Sequence, residues 1–353
     1  MKKRLLLAIL LPSIVVVFNA CTTDVNIYAD YKDVAIVYAM LNSRADTNYV
    51  KIIRAFCGMN DNPIDANEVA LIADSSNYPG KLDVRIIELK NTHGNSFVPT
   101  GRVLLFDTLT LHNKKEGVFY APDQKVYYTE EHLNTGTGGD KYAYRLVVVK
   151  PNGDTVTART TMVGDEEFMI INGSVSFQQS HSNAMAKIVF RADGVAPIYD
   201  IRMQFNYLEQ HEGQPIKSKS ISRSFGSKPL SFYQKIPNTE NSYYQEYSVN
   251  WLFTALESAI GDDTVINPSH PNVVRYIDGF TVSISAAGEE LIDYYNANQA
   301  QIESPLTMIT PVTNIEGGFG LFCSRTTIEK EEKLSASAKR DLFSMTSWGF
   351  KEH

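Results

Sequence analysis

Period-two alternation, short β-branched runs and an Asn-Gly turn between two of them predict a mainly β protein. The pattern fits an N-terminal immunoglobulin- or fibronectin-like β-sandwich followed by a mixed α+β, strand-rich domain. The alternation is clearest over residues 82–89, where Leu82, Val84 and Ile86 stand against Asp83 and Arg85. The turn is Pro151-Asn152-Gly153-Asp154, flanked by β-rich runs at 142–150 and 155–163. Asn and Gly both tolerate positive φ, which a tight hairpin requires.

The other elements follow in chain order. Residues 34–41 and 49–56 are apolar and β-branched and enclose a polar turn, so they predict two paired strands, and 103–111 predicts another. Tyr144 stands where a tyrosine corner could form. Gly164-Asp165-Glu166-Glu167 is an acidic break, and the domain boundary is placed there. Beyond it, strands are expected at 168–177, 186–192, 199–209, 216–225 and 276–284. Helices are expected at 240–260, 286–301 and 335–343. The domain reading is therefore 32–163 for the sandwich and 168–353 for the α+β part, which ends in a glycine-rich motif and a short helix.

The first residues carry a different signal. Met1-Lys2-Lys3-Arg4 is basic, and 5–18 is apolar except for Pro12 and Ser13. Such a run is shorter than the roughly 20 residues a membrane span needs, and fits a signal peptide over 1–20. Asn19 and Ala20 then precede Cys21. This resembles a bacterial lipobox, although Phe18 stands where leucine is usual. Lipid on Cys21 would make that thiol the mature N-terminus and 21–31 a lipidated tether. Acyl chains contribute about 0.8 kcal/mol per buried CH2, so two or more anchor a protein without a spanning helix.

Removal of Lys2, Lys3 and Arg4 moves the formal charge from −7 to −10. An acidic chain argues against nucleic acid and against a polybasic lipid-binding surface. Beyond Cys21 the only cysteines are Cys57 and Cys323. They could pair if their Cα atoms come within about 7 Å, or remain two separate buried thiols.

No catalytic pattern emerges. The seven histidines are scattered singly, and His211-Glu212 lacks a second histidine one helical turn on. Glu130-Glu131-His132 reads as a solvated loop. The Gly-x-Ser-x-Gly elbow is absent. Gly136-Thr137-Gly138-Gly139-Asp140 lacks the Lys-Ser or Lys-Thr of a phosphate loop. No metal and no cofactor is expected, and the protein is not expected to be an enzyme. Tyr243, Tyr244 and Trp251 on the expected 240–260 helix could form a ligand-stacking platform, though aromatics at helical spacing usually belong to a core.

Near the end stands Asn314-Ile315-Glu316-Gly317-Gly318-Phe319-Gly320-Leu321-Phe322. This resembles the closing motif of Bacteroidetes outer-membrane lipoproteins of the family called domain of unknown function 4249. The early strand pair and the Asn-Gly-Asp hairpin are similar too, and Cys323 is a local departure. Within the motif, Asn314, Glu316, Gly317, Gly318 and Gly320 read as structural, glycine permitting close backbone approaches. The resemblance implies a lipid-anchored outer-membrane protein, on the periplasmic or the outer side, accessory to a TonB-dependent transporter or partnered with another envelope protein. It implies no catalytic residue. The alternatives are a surface glycan- or peptide-binding protein, and an adhesin or fimbrial subunit.

Overall fold

A strand with one face in a core must bury every second side chain. The first one does: Ala35, Val37, Ala39 and Leu41 are buried while Tyr38 and Met40 are exposed. The computed structural model describes residues 33–55, 71–72, 76–91, 96–116, 120–121, 123–136, 139–164, 167–172, 174–179, 183–267, 269, 271–303 and 312–352. Residues 1–20 and 21–31, expected to be a signal peptide and a lipidated tether beginning at Cys21, and Cys57 lie outside the described residues.

Eight strands come from the first half: β1 (Ala35–Leu41), β2 (Asn48–Arg54), β3 (Asp83–Asn91), β4 (Val98–Leu105), β5 (Asp107–Leu111), β6 (Gln124–Thr129), β7 (Lys141–Val149) and β8 (Thr155–Thr161). The second half contributes β9 (Met169–Ile170), β10 (Ser174–Val175), β11 (Met185–Arg191), β12 (Ile198–His211), β13 (Lys217–Pro229), β14 (Gln234–Lys235) and β15 (Ser242–Ser248). It continues with α1 (Trp251–Ile260), β16 (Val273–Ala287), α2 (Glu289–Glu303), β17 (Ile315–Glu316), β18 (Gly318–Leu334), α3 (Ala336–Ser344) and β19 (Phe350–Lys351).

The fold is mainly β and sandwich-like. One ten-stranded sheet runs β13-β12-β16-β18-β1-β2-β6-β5, with β10 and β19 attached to β18 and β16. A second sheet runs β17-β8-β7-β3-β4, and a third β14-β15-β11-β9. Side chains of β1, β2 and β6 share one core with those of β3, β4, β7 and β8, including Val37, Ile52, Tyr127, Ile86, Tyr144 and Val156. A second core gathers Phe190, Tyr199, Phe205, Phe280 and Ile284 with Leu252 and Leu256 of α1 and Leu342 of α3. Residues 34–353 cluster as one compact unit.

The Asn-Gly turn pairs Val149 with Thr155. Its five-residue loop is closed by Lys150 N–H donating to Asp154 O at 2.8 Å, with Gly153 at φ +88°. Ser335 caps α3 by accepting from Ala338 N–H at 3.2 Å, the expected use of a serine at a helix start.

Four expectations need correction. The helix expected over 240–260 begins only at Trp251, because Ser242–Ser248 pairs antiparallel with β11 along its whole length. Tyrosines suit a pleated, half-buried surface, and that pairing overrides the helical spacing. The single strand expected at 103–111 is two, in different sheets, broken at buried Phe106, whose N–H donates to Val84 O at 3.0 Å. Residues 168–177 give only the short β9 and β10. The helix expected from 286 starts at Glu289, since Ala286 and Ala287 end β16 against Thr326 and Arg325.

The largest departure is β18. Its first residues were expected only as a glycine-rich motif, yet Gly318–Leu334 is the longest strand of the fold. It lies parallel to β1, pairing Ile36 with Phe319 and Tyr38 with Leu321, and antiparallel to β16. Phe322 joins the first core and Ile328 and Leu334 the second, so one strand serves both.

Candidate functional site

The terminal motif lies where β17 turns into β18 against β1. The Asn314 side chain acts as a surrogate strand: its Oδ1 accepts from Phe322 N–H at 2.9 Å and its Nδ2 donates to Phe322 O at 2.6 Å. Glu316 accepts from the Thr157 hydroxyl at 2.8 Å, tying β17 to β8. Gly317 has φ +80°. Gly318 passes Ala35 O so closely that a Cβ would sit 2.5 Å from it. Gly320 has φ +114°, and a Cβ there would lie 1.9 Å from Val37 O. These positions set backbone path and carry no reactive group.

Tyr243 and Tyr244 are neighbours on β15 and so face opposite sides of the sheet. Tyr243 and Trp251 pack against the second core. Tyr244 lies under the Lys187 ammonium at 3.8 Å, and its hydroxyl donates to Gln234. The three half-buried rings form no shared platform. Cys323 is a free, buried thiol donating to Ala39 O at 3.7 Å. Burial, with the Glu290 charge adding, pushes its pKa up to about 12, so it is not a ready thiolate.

Two buried polar clusters stand out. In the first, Glu88 is 3% exposed, and its carboxylate accepts from four side chains. Thr100 Oγ1 (3.0 Å), Arg102 Nη1 (3.2 Å), Asn134 Nδ2 (2.8 Å) and the Tyr144 hydroxyl (2.9 Å) supply the donors. That hydroxyl also accepts from Asn134 N–H at 2.8 Å, fixing the loop before β7. Burial, reinforced by the Glu88 charge, drives the Tyr144 pKa far up and keeps it a donor.

The second cluster lies at the far end of β12. Glu209 and His211 are two residues apart on one strand, so both side chains project from one face. Arg275 on β16 sits directly opposite Glu209. Asp263 arrives on the turn that ends α1, its N–H donating to Ile260 O at 2.9 Å. Arg275 is fully buried and is the hub. Its Nε meets Glu209 Oε2 at 2.8 Å, its Nη2 meets Asp263 Oδ2 at 2.7 Å, and its Nη1 donates to Trp348 O at 2.8 Å. His211 Nε2 lies 3.3 Å from both Glu209 Oε1 and Asp263 Oδ2. Burial opposes ionisation of Glu209. The hydrogen bond and charge of Arg275, aided by His211 and Lys219, outweigh it and hold the carboxyl below the usual range.

Beside His211 an open hollow of about 250 Å³ is lined by Gln210, His211, Glu212, Gly213, Pro271 and Val274. Among the described residues, Glu209, His211 and Asp263 are the group whose ligand atoms lie close enough together, within 4.8 Å, to share a metal ion. Searching for ligands at helical spacing misses them. Glu-x-His on a strand is the signal that could have found two of the three.

A third feature is the outer face of the ten-stranded sheet. Tyr38, Met40, Tyr49 and Phe319 are each between 42% and 45% exposed there, while Leu321 and Cys323, which pair with Tyr38 and Met40, are buried. Lys51 pairs with Tyr38 on that face, and its ammonium donates to Lys125 O at 2.8 Å. Burial, helped by the charges of Lys114 and Lys125, lowers its pKa to about 8. Among the described residues no helix is long and apolar enough to cross a membrane. Comparison with known proteins finds no family model that matches the chain and no curated protein that matches it significantly.

Proposed function

We propose that the chain is an envelope lipoprotein, held to an outer membrane by lipid on Cys21, whose body is a non-catalytic binding or assembly module. In this reading the first half is an immunoglobulin-like module, and the chain belongs with the Bacteroidetes lipoproteins that its Asn314–Phe322 motif resembles. Its partner is a TonB-dependent transporter.

The observation that carries the reading is the exposed apolar face of β1, β2 and β18. Large apolar side chains exposed together on one sheet face are the kind of surface that meets a protein or membrane partner. This face begins at Ile36, 15 residues after Cys21 in the sequence. The charge of Lys51 in its midst gives such a contact a register.

Two experiments test this. Mass spectrometry of the mature protein is expected to find an acylated Cys21 at the N-terminus; an unmodified thiol there removes the anchor. Affinity capture from solubilised outer membranes is expected to recover a transporter, and Tyr38→Glu is expected to abolish recovery while leaving acylation intact. Capture of no envelope protein, or capture indifferent to that substitution, overturns the docking role. Glycan capture by Tyr243, Tyr244 and Trp251 gains nothing from three rings that do not share a face.

A further inference from the structure

We propose that Glu209, His211 and Asp263 form a binding site for one divalent transition-metal ion of the zinc type, with an open coordination position toward the hollow beside His211. The site is independent of the anchor and of the docking face.

The contact lengths divide the cluster in two. The Arg275 contacts, at 2.8 and 2.7 Å, have the length of charge-assisted hydrogen bonds. The two His211 contacts, both 3.3 Å, are longer than that. Ligands held about 2.0–2.1 Å from a tetrahedral ion stand about 3.3 Å apart, so His211 is spaced from each carboxylate as one ligand from another. Arg275 therefore orients the carboxylates, His211 stands at ligand spacing from each, and all three ligand atoms lie within 4.8 Å of one another.

Lone pairs are free for this role. Glu209 gives Oε2 to Arg275 and turns Oε1 toward His211. Asp263 Oδ2 meets both Arg275 and His211, and a carboxylate oxygen carries two acceptor positions. Carboxylate ligands are themselves held by outer hydrogen bonds, and here the Arg275 guanidinium supplies them. Lys219, the other cation near Glu209 Oε1, is 3.6 Å away and about half exposed, so it can swing aside.

Donor chemistry selects the ion. One imidazole and two carboxylates suit zinc or its neighbours, whereas calcium takes six to eight oxygens. Three protein ligands with a fourth position open is the arrangement of sites that hold a water or an exogenous ligand. The adjoining hollow gives that ligand room. The Glu88 cluster is the contrast: its carboxylate is filled by four donors and adjoins no histidine.

The test uses the mature chain purified without a metal-affinity tag and stripped with chelator. Titration with cobalt chloride is expected to give one ion per chain with visible d–d absorption, displaced by zinc sulfate. Zinc is expected to raise the unfolding midpoint, since a ligand bound to the native state stabilises it. His211→Ala and Asp263→Asn are each expected to weaken zinc binding by more than about 100-fold, beyond the loss typical of an outer-shell partner. Both keep the Glu209–Arg275 pair, and circular dichroism confirms that they fold. His112→Ala, at an exposed histidine bonded to Asp123, is expected to change nothing. No stoichiometric binding at micromolar metal, or binding equal in wild type and His211→Ala, overturns the site.

Discussion

The two buried clusters use the same pairing of carboxylate and arginine and put it to opposite use. Glu88 is enclosed in the first core and meets Arg102, Thr100, Asn134 and Tyr144 at once, so its capacity is spent inside the fold. Glu209 meets Arg275 with one oxygen and turns the other toward His211, a half-open histidine that lines a hollow. A saturated network specifies a loop and a strand register. One whose open side meets only the long contacts of His211 and Lys219, at 3.3 and 3.6 Å, has partners that a metal ion can replace. Saturation, more than residue type, separates an architectural carboxylate from a binding one.

The sharpest way to break this comparison is to remove each hub. Arg275→Met strands Glu209 and Asp263 and frees the carbonyls of Trp348 and Asp263. Losing one partner of a buried pair costs about 3–5 kcal/mol, so chemical denaturation is expected to show a loss of that size at pH 7. Because Arg275 holds the Glu209 pKa down, this contribution is present above the unfolded carboxylate value and lost as pH falls through the folded one. Wild type and variant should therefore converge in acid. A neutral-pH loss below about 1 kcal/mol would put the cluster among surface ion pairs.

Tyr144→Phe is expected to cost less, about 1–3 kcal/mol, because Glu88 keeps three donors while Asn134 N–H loses its acceptor. Unfolding curves of both variants in one denaturant decide the order; Tyr144→Phe costing more than Arg275→Met would reverse it.

The smallest effect concerns a carboxylate in neither cluster. Glu332 on β18 is buried with both oxygens lacking a hydrogen bond. Lys330 Nζ lies 3.3 Å away but donates to the carbonyls of Ile170 and Asn172. Burial raises the Glu332 pKa, so the native state favours its protonated form. Its favourable contribution is complete below the unfolded carboxylate value and lost as pH rises through the folded one. Glu332→Gln is expected to raise the melting temperature by about 1–2 °C at pH 7, a gain that vanishes below about pH 4. Equal gains at both pH values would mean that ionisation of Glu332 is not their cause, and no gain at pH 7 that the carboxylate is already paired.

What the sequence made legible was local. Leu82, Val84 and Ile86 declared β3, and Asn152-Gly153 declared the hairpin, because the signal lies within a few residues. The long strand β18 was hidden by its own composition: the even positions that face the interior include Lys330 and Glu332, which erase the alternation. β15 was hidden because Ser-Tyr-Tyr-Gln-Glu-Tyr-Ser depends on β11 for its structure. The candidate site was half visible. Glu209-x-His211 shares a face once the strand is known, whereas Asp263 and Arg275 join it only through topology. The glycines of the terminal motif were legible as a structural signal, whereas the motif's pairing with β1 was not.

The parallel placement of β18 beside β1 fixes an order of assembly. Cys323 and Ala39, which touch in the finished protein, are 284 positions apart along the polypeptide. A chain delivered from its N-terminus must therefore wait, with one margin of its first sheet unclosed, until the last stretch arrives. Anything cut short before Gly318 would carry that raw margin permanently, presenting unpaired backbone amides to whatever sticky neighbour it meets.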